Sequence, residues 1–495
     1  MSKKILYVLV IPLVIYANFS NQTNTLVNNF SQRTVWDTMI IYSGSTTLRR
    51  VAIANHIKGP EDDTMRIFTV QSAAPRNVLL LTDISASPPM IWRTDILETP
   101  SANSMQVGVG DVDRDSTNDL IYAQSGTPYH LKRAYWNDST WAFEVITTMN
   151  GASWGMDVGD ADNDGYNDDI IYASGVTSNC QLNWAHFNGT TWETSIICNS
   201  DGSTIQSVAI NDCDSALAGN EVIAVTGGSP TGTGRVLRCY FNGASWDTMT
   251  LWRAADNASL TAVAIGDFDA SHYGNEIAVG NGLGPGSMTR GAVIEVFGEG
   301  SSWQARPIFT PDTSENCWGL AIGDFLSTNP GDEIIKSGSF SYYVRAIWGS
   351  GDNWYNEIIF EIPGSSYGAA VGDVNKYRTD NDEIVVTGNY KVIEVEEHIQ
   401  SGIEYPITNN IINHTLEIMP NPSREKVFVN YSLPSARAVE VKLFNVFGKL
   451  IYLAQRPPQT KHLITIDTKS LLSGVYVLHL KSDNCLETRK LLITR

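Results

Sequence analysis

The sequence is poor in positive charge. Its 495 residues include 34 Lys and Arg against 53 Asp and Glu, a net charge of −19. Nucleic acid is thereby excluded as a ligand class, because binding to a phosphate backbone depends on Lys and Arg that displace its counterions. The charge is also uneven: residues 415–495 carry 12 basic and 6 acidic residues, which leaves −25 for the rest of the chain. This change of sign predicts a domain boundary near residue 415.

Catalytic and redox motifs are missing as well. The six cysteines form no CxxC pair, the eight histidines are scattered, and no HExxH motif occurs. Gly151-Ala-Ser-Trp-Gly155 has the GxSxG spacing, but it leads into a strand rather than from a strand into a helix. Gly280-Asn-Gly-Leu-Gly284 has no helical segment behind it and is no dinucleotide fingerprint. The sequence therefore favours a protein that binds over one that catalyses.

Long hydrophobic runs are scarce. Twelve apolar residues, 5–16, follow Lys3 and Lys4 and are followed by Ala17. The run is too short to span a bilayer, and its order of basic, apolar and small residues predicts a cleaved secretion signal over residues 1–17. A buried N-terminal strand is the alternative. No other segment is long and apolar enough to cross a membrane, so we expect an exported protein without a transmembrane anchor.

What the sequence does contain is an internal repeat. A short segment in which bulky apolar residues alternate with small ones recurs seven times, at intervals of 49 to 57 residues. In a strand, this alternation places bulk on one face and Gly or Ala on the other. The seven segments begin at Val51, Val107, Met156, Val208, Val263, Leu320 and Ala369. The small face suits radially packed sheets, because it lets the next sheet approach.

Three more strands are predicted in each repeat. A second apolar strand follows the first, and a hairpin with an Asn-Gly or Gly-rich turn comes after it. A tryptophan opens the fourth strand of every copy, and we interpret these residues as packing between sheets: Trp36, Trp92, Trp141, Trp192, Trp246, Trp303 and Trp354.

The position of Trp36 indicates how the repeats are joined. Its strand precedes the first repeat, whereas the seventh repeat stops after its third strand, at residues 391–396. We expect the N-terminal strand to complete the seventh sheet, since closure removes the exposed edges of an open array. Residues 34–397 are therefore predicted to form an all-β, seven-bladed β-propeller.

The turn after the first strand carries acidic residues in some repeats. Residues 160–168 place carboxylates at positions 1, 3, 5 and 9 and Gly at position 6, which is typical of loops that gather oxygen ligands round Ca²⁺. Residues 111–119 repeat the four carboxylates, and the loop from Asp267 keeps fewer. The predicted ligands of one to three structural Ca²⁺ sites are Asp160, Asp162, Asp164, the Tyr166 carbonyl and Asp168, then Asp111, Asp113, Asp115 and Asp119, then Asp267, Asp269 and Ser271. The alternative is that these aspartates only bond to their own backbone in turns.

The combined pattern of the first strand and its acidic loop resembles the FG-GAP/VCBS repeats. Members of that family form integrin-alpha-like propellers with Ca²⁺ in these loops, and the resemblance implies the same for residues 34–397. The loops at Asp111 and Asp160 carry the match. The Phe-Gly and Gly-Ala-Pro signatures of the family are absent, so an integrin-like adhesive role is not implied.

The C-terminal part differs from the repeats. Residues 398–414 are polar and aperiodic and are interpreted as a linker, and seven short alternating runs in residues 415–495 predict a small Ig-like β-sandwich. The landmarks of this module are Pro420-Asn-Pro422, Tyr431-Ser-Leu-Pro434 and the segments 441–448, 472–476 and 489–495. They resemble the type A sorting domain of type IX secretion, which implies Sec export and the secretion machinery as a partner. An ordinary Ig-like binding module is the alternative.

One further repeat position carries large side chains. Six residues before the loop aspartate stand Met105, Trp154, Trp318 and Tyr367. In a closed ring they converge at the mouth of the central channel, where we hypothesise an apolar platform for a sugar or a peptide; packing at the rim is the alternative. The sequence thus predicts a monomeric binding protein, secreted or held at the cell surface. A polysaccharide-degrading enzyme of the lyase kind and a structural envelope component stay open.

One cysteine pairing has a geometric basis. Cys180 and Cys198 are equidistant from Gly189, the predicted turn of a hairpin, so they are expected to face each other across two strands. An exported chain permits a disulfide there. Two free buried thiols are the alternative.

Overall fold

The computed structural model describes residues 33–494 with gaps at 86–89, 176–179, 228–233, 255–257, 284–289, 313–314, 328, 330, 340–342, 363, 375–381, 401–414, 446–448 and 483–484. The predicted signal peptide and most of the predicted linker lie outside the described residues. The chain divides into two compact units, one ending at Gln400 and one following it. None of the described residues belongs to a helix that could cross a bilayer.

The described strands up to Gln400 form seven four-stranded antiparallel sheets. They are numbered in chain order, and β1 (Arg33–Ser43) is the outermost strand of the last sheet. The innermost strands are β2 (Leu48–Ala54), β6 (Asn103–Gly110), β10 (Met156–Gly159), β14 (Thr204–Asn211), β18 (Ser259–Gly266), β22 (Gly319–Gly323) and β26 (Ser366–Gly372). The second strands are β3 (Arg66–Gln71), β7 (Asp119–Ser125), β11 (Asp169–Ser174), β15 (Glu221–Gly227), β19 (Glu276–Leu283), β23 (Glu333–Ser337) and β27 (Glu383–Gly388).

In six of the sheets the predicted hairpins fill the two outer positions, and in the seventh sheet β1 takes the outermost position. The third strands are β4 (Val78–Asp83), β8 (His130–Trp136), β12 (Gln181–Phe187), β16 (Arg235–Phe241), β20 (Val293–Glu299), β24 (Tyr343–Ser350) and β28 (Lys391–Gln400). The remaining outermost strands are β5 (Trp92–Glu98), β9 (Trp141–Thr148), β13 (Trp192–Asn199), β17 (Trp246–Arg253), β21 (Ser302–Phe309) and β25 (Asn353–Glu361). We name the sheets blades 1 to 7 in chain order, so that blade 1 begins with β2 and blade 7 contains β1.

The ring closes through the N-terminal strand. β1 pairs antiparallel with β28, and Trp36 lies opposite Glu397. Each innermost strand contacts that of the next blade, and β26 of blade 7 returns to β2 of blade 1. The all-β propeller predicted from the repeats is therefore confirmed.

The small face of the innermost strands permits this radial packing. A Cβ atom placed on Gly323 would lie 2.5 Å from Val371 Cγ1 of the next blade, and one on Gly110 would lie 2.5 Å from Val158 Cγ1. Interiors packed at crystal-like density have no room for the extra atom. Glycine at these positions thus sets the distance between neighbouring blades.

The outer-strand tryptophans fill the wider gaps between blades. Trp141 packs on the buried cluster shared by blades 1 and 2, Trp246 on that of blades 3 and 4, and Trp36 on that of blades 6 and 7. Trp36 also lies 6.3 Å from Phe325, measured between ring centroids. Their predicted packing role is confirmed.

The second unit is a β domain with five described strands rather than the seven predicted. They are β29 (Thr415–Met419), β30 (Lys426–Asn445), β31 (Leu450–Asp467), β32 (Gly474–Ser482) and β33 (Cys485–Ile493), in one connected sheet. Two pairs of predicted short strands are continuous here as β30 and β31. The pairing of β30 with β31 shifts register between Ser432 and Val439, where the sequence predicts the gap between two strands.

Candidate functional site

A buried carboxylate holds the turn between the first two strands of most blades. It is the first residue of the second strand in six of them: Asp119, Asp169, Glu221, Glu276, Glu333 and Glu383. In blade 3, one oxygen of Asp169 accepts the backbone N–H groups of Ala161 and Asp162, both at 2.9 Å. Burial raises the pKa of Asp169 to about 7. Sequence reasoning missed this role, although an acidic residue directly before the second apolar run is visible in six repeats.

The loop that begins at Asp160 brings three carboxylates together. Asp160, Asp162 and Asp169 each place an oxygen within 4.8 Å of the other two. The Asp160 carboxylate also accepts the backbone N–H groups of Asp164 and Gly165, each at 3.0 Å. Gly165 has a φ of 93°, which favours glycine at this point of the turn. The loop curls round the three carboxylates, an arrangement suited to a hard cation with oxygen ligands.

The third carboxylate of this cluster belongs to Asp169 and not to the predicted Asp168, because of the register between the two strands. Gly159, the end of the innermost strand, lies opposite Asp169, just as Gly110 lies opposite Asp119 in blade 2. The loop in blade 3 is therefore one residue longer than the loop in blade 2. Counting positions from Asp160 does not reveal that insertion.

Arg114 of the neighbouring loop holds the other predicted residues of the Asp160 loop. Its Nε donates to Asp168 Oδ2 at 2.6 Å, and its guanidinium also pairs with Asp164. The Arg114 Cζ lies 4.2 Å from the ring centroid of Tyr166. The guanidinium thus pairs with Asp164 and Asp168 rather than with the three converging carboxylates.

The loop that begins at Asp111 receives a guanidinium of its own blade. Asp111, Asp113 and Asp115 bring oxygens within 4.8 Å of one another. Arg133 of β8 pairs with Asp119 at 2.9 Å and also with Asp113. Positive charge is thus already present among the four predicted ligands.

The loop that begins at Asp267 does not assemble its predicted ligands. Asp269 turns away and accepts the backbone N–H groups of Ser271 at 2.9 Å and Gly351 at 3.0 Å. It also pairs with Arg306. Although burial opposes ionisation, these hydrogen bonds hold the pKa of Asp269 well below its usual range. Asp267 belongs to no cluster of potential ligands among the described residues.

One position on the third strand distinguishes the blade 3 loop from its neighbours. Arg133 in blade 2 and Arg238 in blade 4 occupy the same register position, and Arg238 pairs with Asp214. The equivalent residue in blade 3 is Trp184, whose Nε1 donates to Asp169 Oδ1 at 2.5 Å. A neutral donor therefore replaces the guanidinium, and the third strand adds no positive charge beside the three carboxylates.

A second candidate site lies at the other end of the innermost strands. The repeat position six residues before the loop is held by Arg49, Met105, Trp154, Gln206, Thr261, Trp318 and Tyr367. In five blades the strand pairing shifts register at this position, as it does between Leu48 and Val51. Such bulges re-aim a side chain. Six of the seven residues, all except Thr261, line one pocket with Arg50 and Gln106.

The pocket, which we call the channel mouth, unites all four residues of the predicted platform: Met105, Trp154, Trp318 and Tyr367. The rings of Trp318 and Tyr367 are 6.3 Å apart at an angle of 52°. Their ligand role stays a prediction. Sequence reasoning missed Arg49, Arg50 and Gln206, although Arg49 and Gln206 occupy the same repeat position as the aromatic residues.

The predicted disulfide is wrong. Cys180 and Cys198 are free thiols, and Cys198 lies opposite Leu182. The pairing of β12 with β13 shifts by one residue between Leu182 and Asn183. Phe187 also lies opposite Trp192, so the hairpin is centred half a residue beyond Gly189. The two offsets together place Ser200 opposite Cys180, and its backbone N–H donates to the Cys180 carbonyl at 3.0 Å.

Comparison with known proteins bears on the C-terminal unit. Residues 417–494 match the family described as a secretion system C-terminal sorting domain. The predicted sorting domain is thus confirmed, and the protein is secreted or held at the cell surface. No curated protein matches the chain in sequence. A solved fungal alcohol oxidase, described as having catalytic diversity among the AA5 family and in complex with copper, aligns with 93% of this chain and 99% of its own at a TM-score of 0.45 and 10% identity. A similarity that low carries no weight for activity.

Proposed function

We propose that this protein is an extracellular binding protein whose propeller, built from FG-GAP/VCBS-type repeats, holds a glycan or protein ligand at the channel mouth. The sorting domain supports export through a type IX-like route. The observation that carries the binding role is the convergence of Met105, Trp154, Trp318 and Tyr367, from four different blades, in one pocket. Aromatic faces with a few polar groups beside them are what a small-ligand site requires.

The binding role is tested on the intact exported protein. Immobilised wild type is probed with a glycan array and with extracts of surface proteins. We expect a retained ligand that is lost when Trp154 and Trp318 are both changed to Ala. Tyr273→Ala is the matched control, because Tyr273 is 94% exposed and lies outside the mouth. Binding that survives the double change, or no binding to any probe, would contradict the proposal.

The Ca²⁺ part of the proposal rests on the Asp160 loop. There, Asp160, Asp162 and Asp169 face one another without a guanidinium between them. Carboxylates so close repel one another, so a cation is the simplest source of compensation. We propose one structural Ca²⁺ at these residues, with Asp164 and the Tyr166 carbonyl as further oxygen ligands, which pins the turn between β10 and β11. In the Asp111 loop, Arg133 supplies charge that the ion would otherwise supply.

Calorimetry with Ca²⁺ tests this site on chelator-treated protein. Wild type is expected to bind Ca²⁺ and to gain about 2.7 kcal/mol of unfolding free energy when Ca²⁺ exceeds its Kd a hundredfold. Asp162→Asn is expected to abolish both effects. The matched variant Asp113→Asn changes the equivalent residue of blade 2 and is expected to keep them. Equal Ca²⁺ binding by wild type and Asp162→Asn would refute the assignment.

A further inference from the structure

Two arginines in the channel mouth have no counter-ion among the described residues. Arg49 stacks on Tyr367, with its Cζ 4.1 Å from the ring centroid. Its Nε is buried without a hydrogen-bond partner. Among the described residues, no hydrogen bond or ion pair reaches the Arg49 guanidinium.

The hydrogen bonds that Arg50 makes within the described part of the chain go to neutral groups. Its Nη1 donates to the backbone carbonyl oxygens of Trp318 at 2.8 Å and Tyr367 at 3.4 Å. Burial and the neighbouring charge of Arg49 lower the pKa of Arg50 to about 10, so it stays protonated at neutral pH. The mouth therefore concentrates two positive charges that no described carboxylate balances.

Elsewhere this propeller pairs its enclosed guanidinium groups. Arg133 meets Asp113 and Asp119, and Arg306 meets Asp269. Leaving an enclosed charge unpaired is unfavourable, because desolvation is not repaid by a partner. Residues 1–414 have a net charge of −25, so carboxylates that could pair with Arg49 and Arg50 are abundant. No carboxylate of the described residues pairs with either arginine.

From this arrangement we propose that the channel mouth receives the carboxylate or sulfate group of an acidic polysaccharide. The assignment rests on the proposed binding role of the mouth and adds the class of ligand. The planar fork of donors on Arg49 matches the geometry of an oxyanion. The pocket is partly open and its cavity volume is only about 20 Å³, which suits one small charged group rather than a whole sugar ring. The ring would then lie against Trp154 and Trp318, which line the same pocket and are half-buried.

The distribution of charge makes the site selective. A net negative propeller repels a polyanion over most of its surface, and the acidic loops lie at the far end of the same strands. Attraction is therefore confined to the mouth. Added salt is expected to weaken binding of the acidic polymer and to leave neutral polymers unaffected.

The experiment measures binding of three oligosaccharides of equal length to the intact protein: a polyuronate, a sulfated chain and a neutral chain. We expect the polyuronate or the sulfated chain to bind and the neutral chain to bind weakly. Arg49→Gln is expected to weaken binding roughly tenfold or more, since it removes a charged hydrogen-bonding group. Arg93→Gln, an exposed arginine of blade 1, is the control and is expected to change nothing. Arg50→Gln is a second test, and the melting temperature of each variant verifies folding.

The outcomes separate this inference from the binding role. One outcome is that neutral and acidic chains bind with equal affinity, which is lost when Trp154 and Trp318 are changed to Ala but is kept in Arg49→Gln. That result would overturn the acidic class of ligand and would still support the mouth as the binding site. Arg49-dependent binding of a peptide carboxylate without any glycan would overturn the polysaccharide. Binding of the acidic chain unchanged in Arg49→Gln and Arg50→Gln would also overturn the inference.

Discussion

Glu333 provides a test of the buried carboxylates that hold the turns. Its Oε2 accepts the backbone N–H groups of Phe325 at 3.0 Å and Leu326 at 2.8 Å, and its Oε1 accepts Asn329 Nδ2 at 2.7 Å. Burial raises the pKa of Glu333 from 4.5 to about 7 despite these bonds. The folded protein thus keeps a proton that the unfolded chain releases. Stability therefore falls as the pH rises from about 4.5 to about 7 and then levels off.

The size of the effect follows from the shift. Between about pH 5 and about pH 8 this group alone removes about 2.5 kcal/mol from the free energy of unfolding. Glu333→Gln keeps an acceptor for the two N–H groups but cannot ionise. We expect urea unfolding to show that the free energy of unfolding of the variant, relative to wild type, is about 2.5 kcal/mol higher at about pH 8 than at about pH 5. Glu361→Gln, on the exposed outer strand of the same blade, is the control. A Glu333→Gln difference that does not change with pH would refute the reasoning.

Two further predictions concern packing and covalent structure. Gly323→Ala places a Cβ 2.5 Å from Val371 Cγ1 and is expected to cost about 1–3 kcal/mol in urea unfolding. The equivalent Gly372→Ala meets only ordinary contacts at 3.7 Å and is expected to cost less, so equal costs would contradict the account of blade spacing. Peptide mapping without reduction is expected to find Cys180 and Cys198 as separate alkylated thiols. A peptide that links the two would show that the hairpin register differs.

The propeller was predictable because its repeat is local. The alternation of bulky and small residues lies within one strand, and a tryptophan marks the start of each fourth strand. Trp36 stands ahead of the first repeat, and that position alone predicts closure of the ring. Pairing of β1 with β28 confirms it.

The site was harder to predict, because its contacts depend on register between strands. Arg133 lies 14 residues beyond Asp119 in the sequence and reaches it only through the pairing of β7 with β8. A one-residue insertion transfers the role of Asp168 to Asp169, and the position of the hairpin turn together with a one-residue bulge separates Cys180 from Cys198. The insertion leaves a trace in the sequence, since the second apolar run starts one residue later after Asp160 than after Asp111. The bulge and the pairing of Arg133 with Asp119 leave none.

Hydroxyl-radical footprinting of the intact protein with its captured ligand tests the central claim most directly. The account predicts that Trp154, Trp318 and Tyr367 become protected when the ligand is bound. The exposed Tyr273 and Tyr355, which lie outside the mouth, are predicted to react equally with and without ligand. Protection on another surface, with unchanged reactivity of the three mouth residues, would contradict the account.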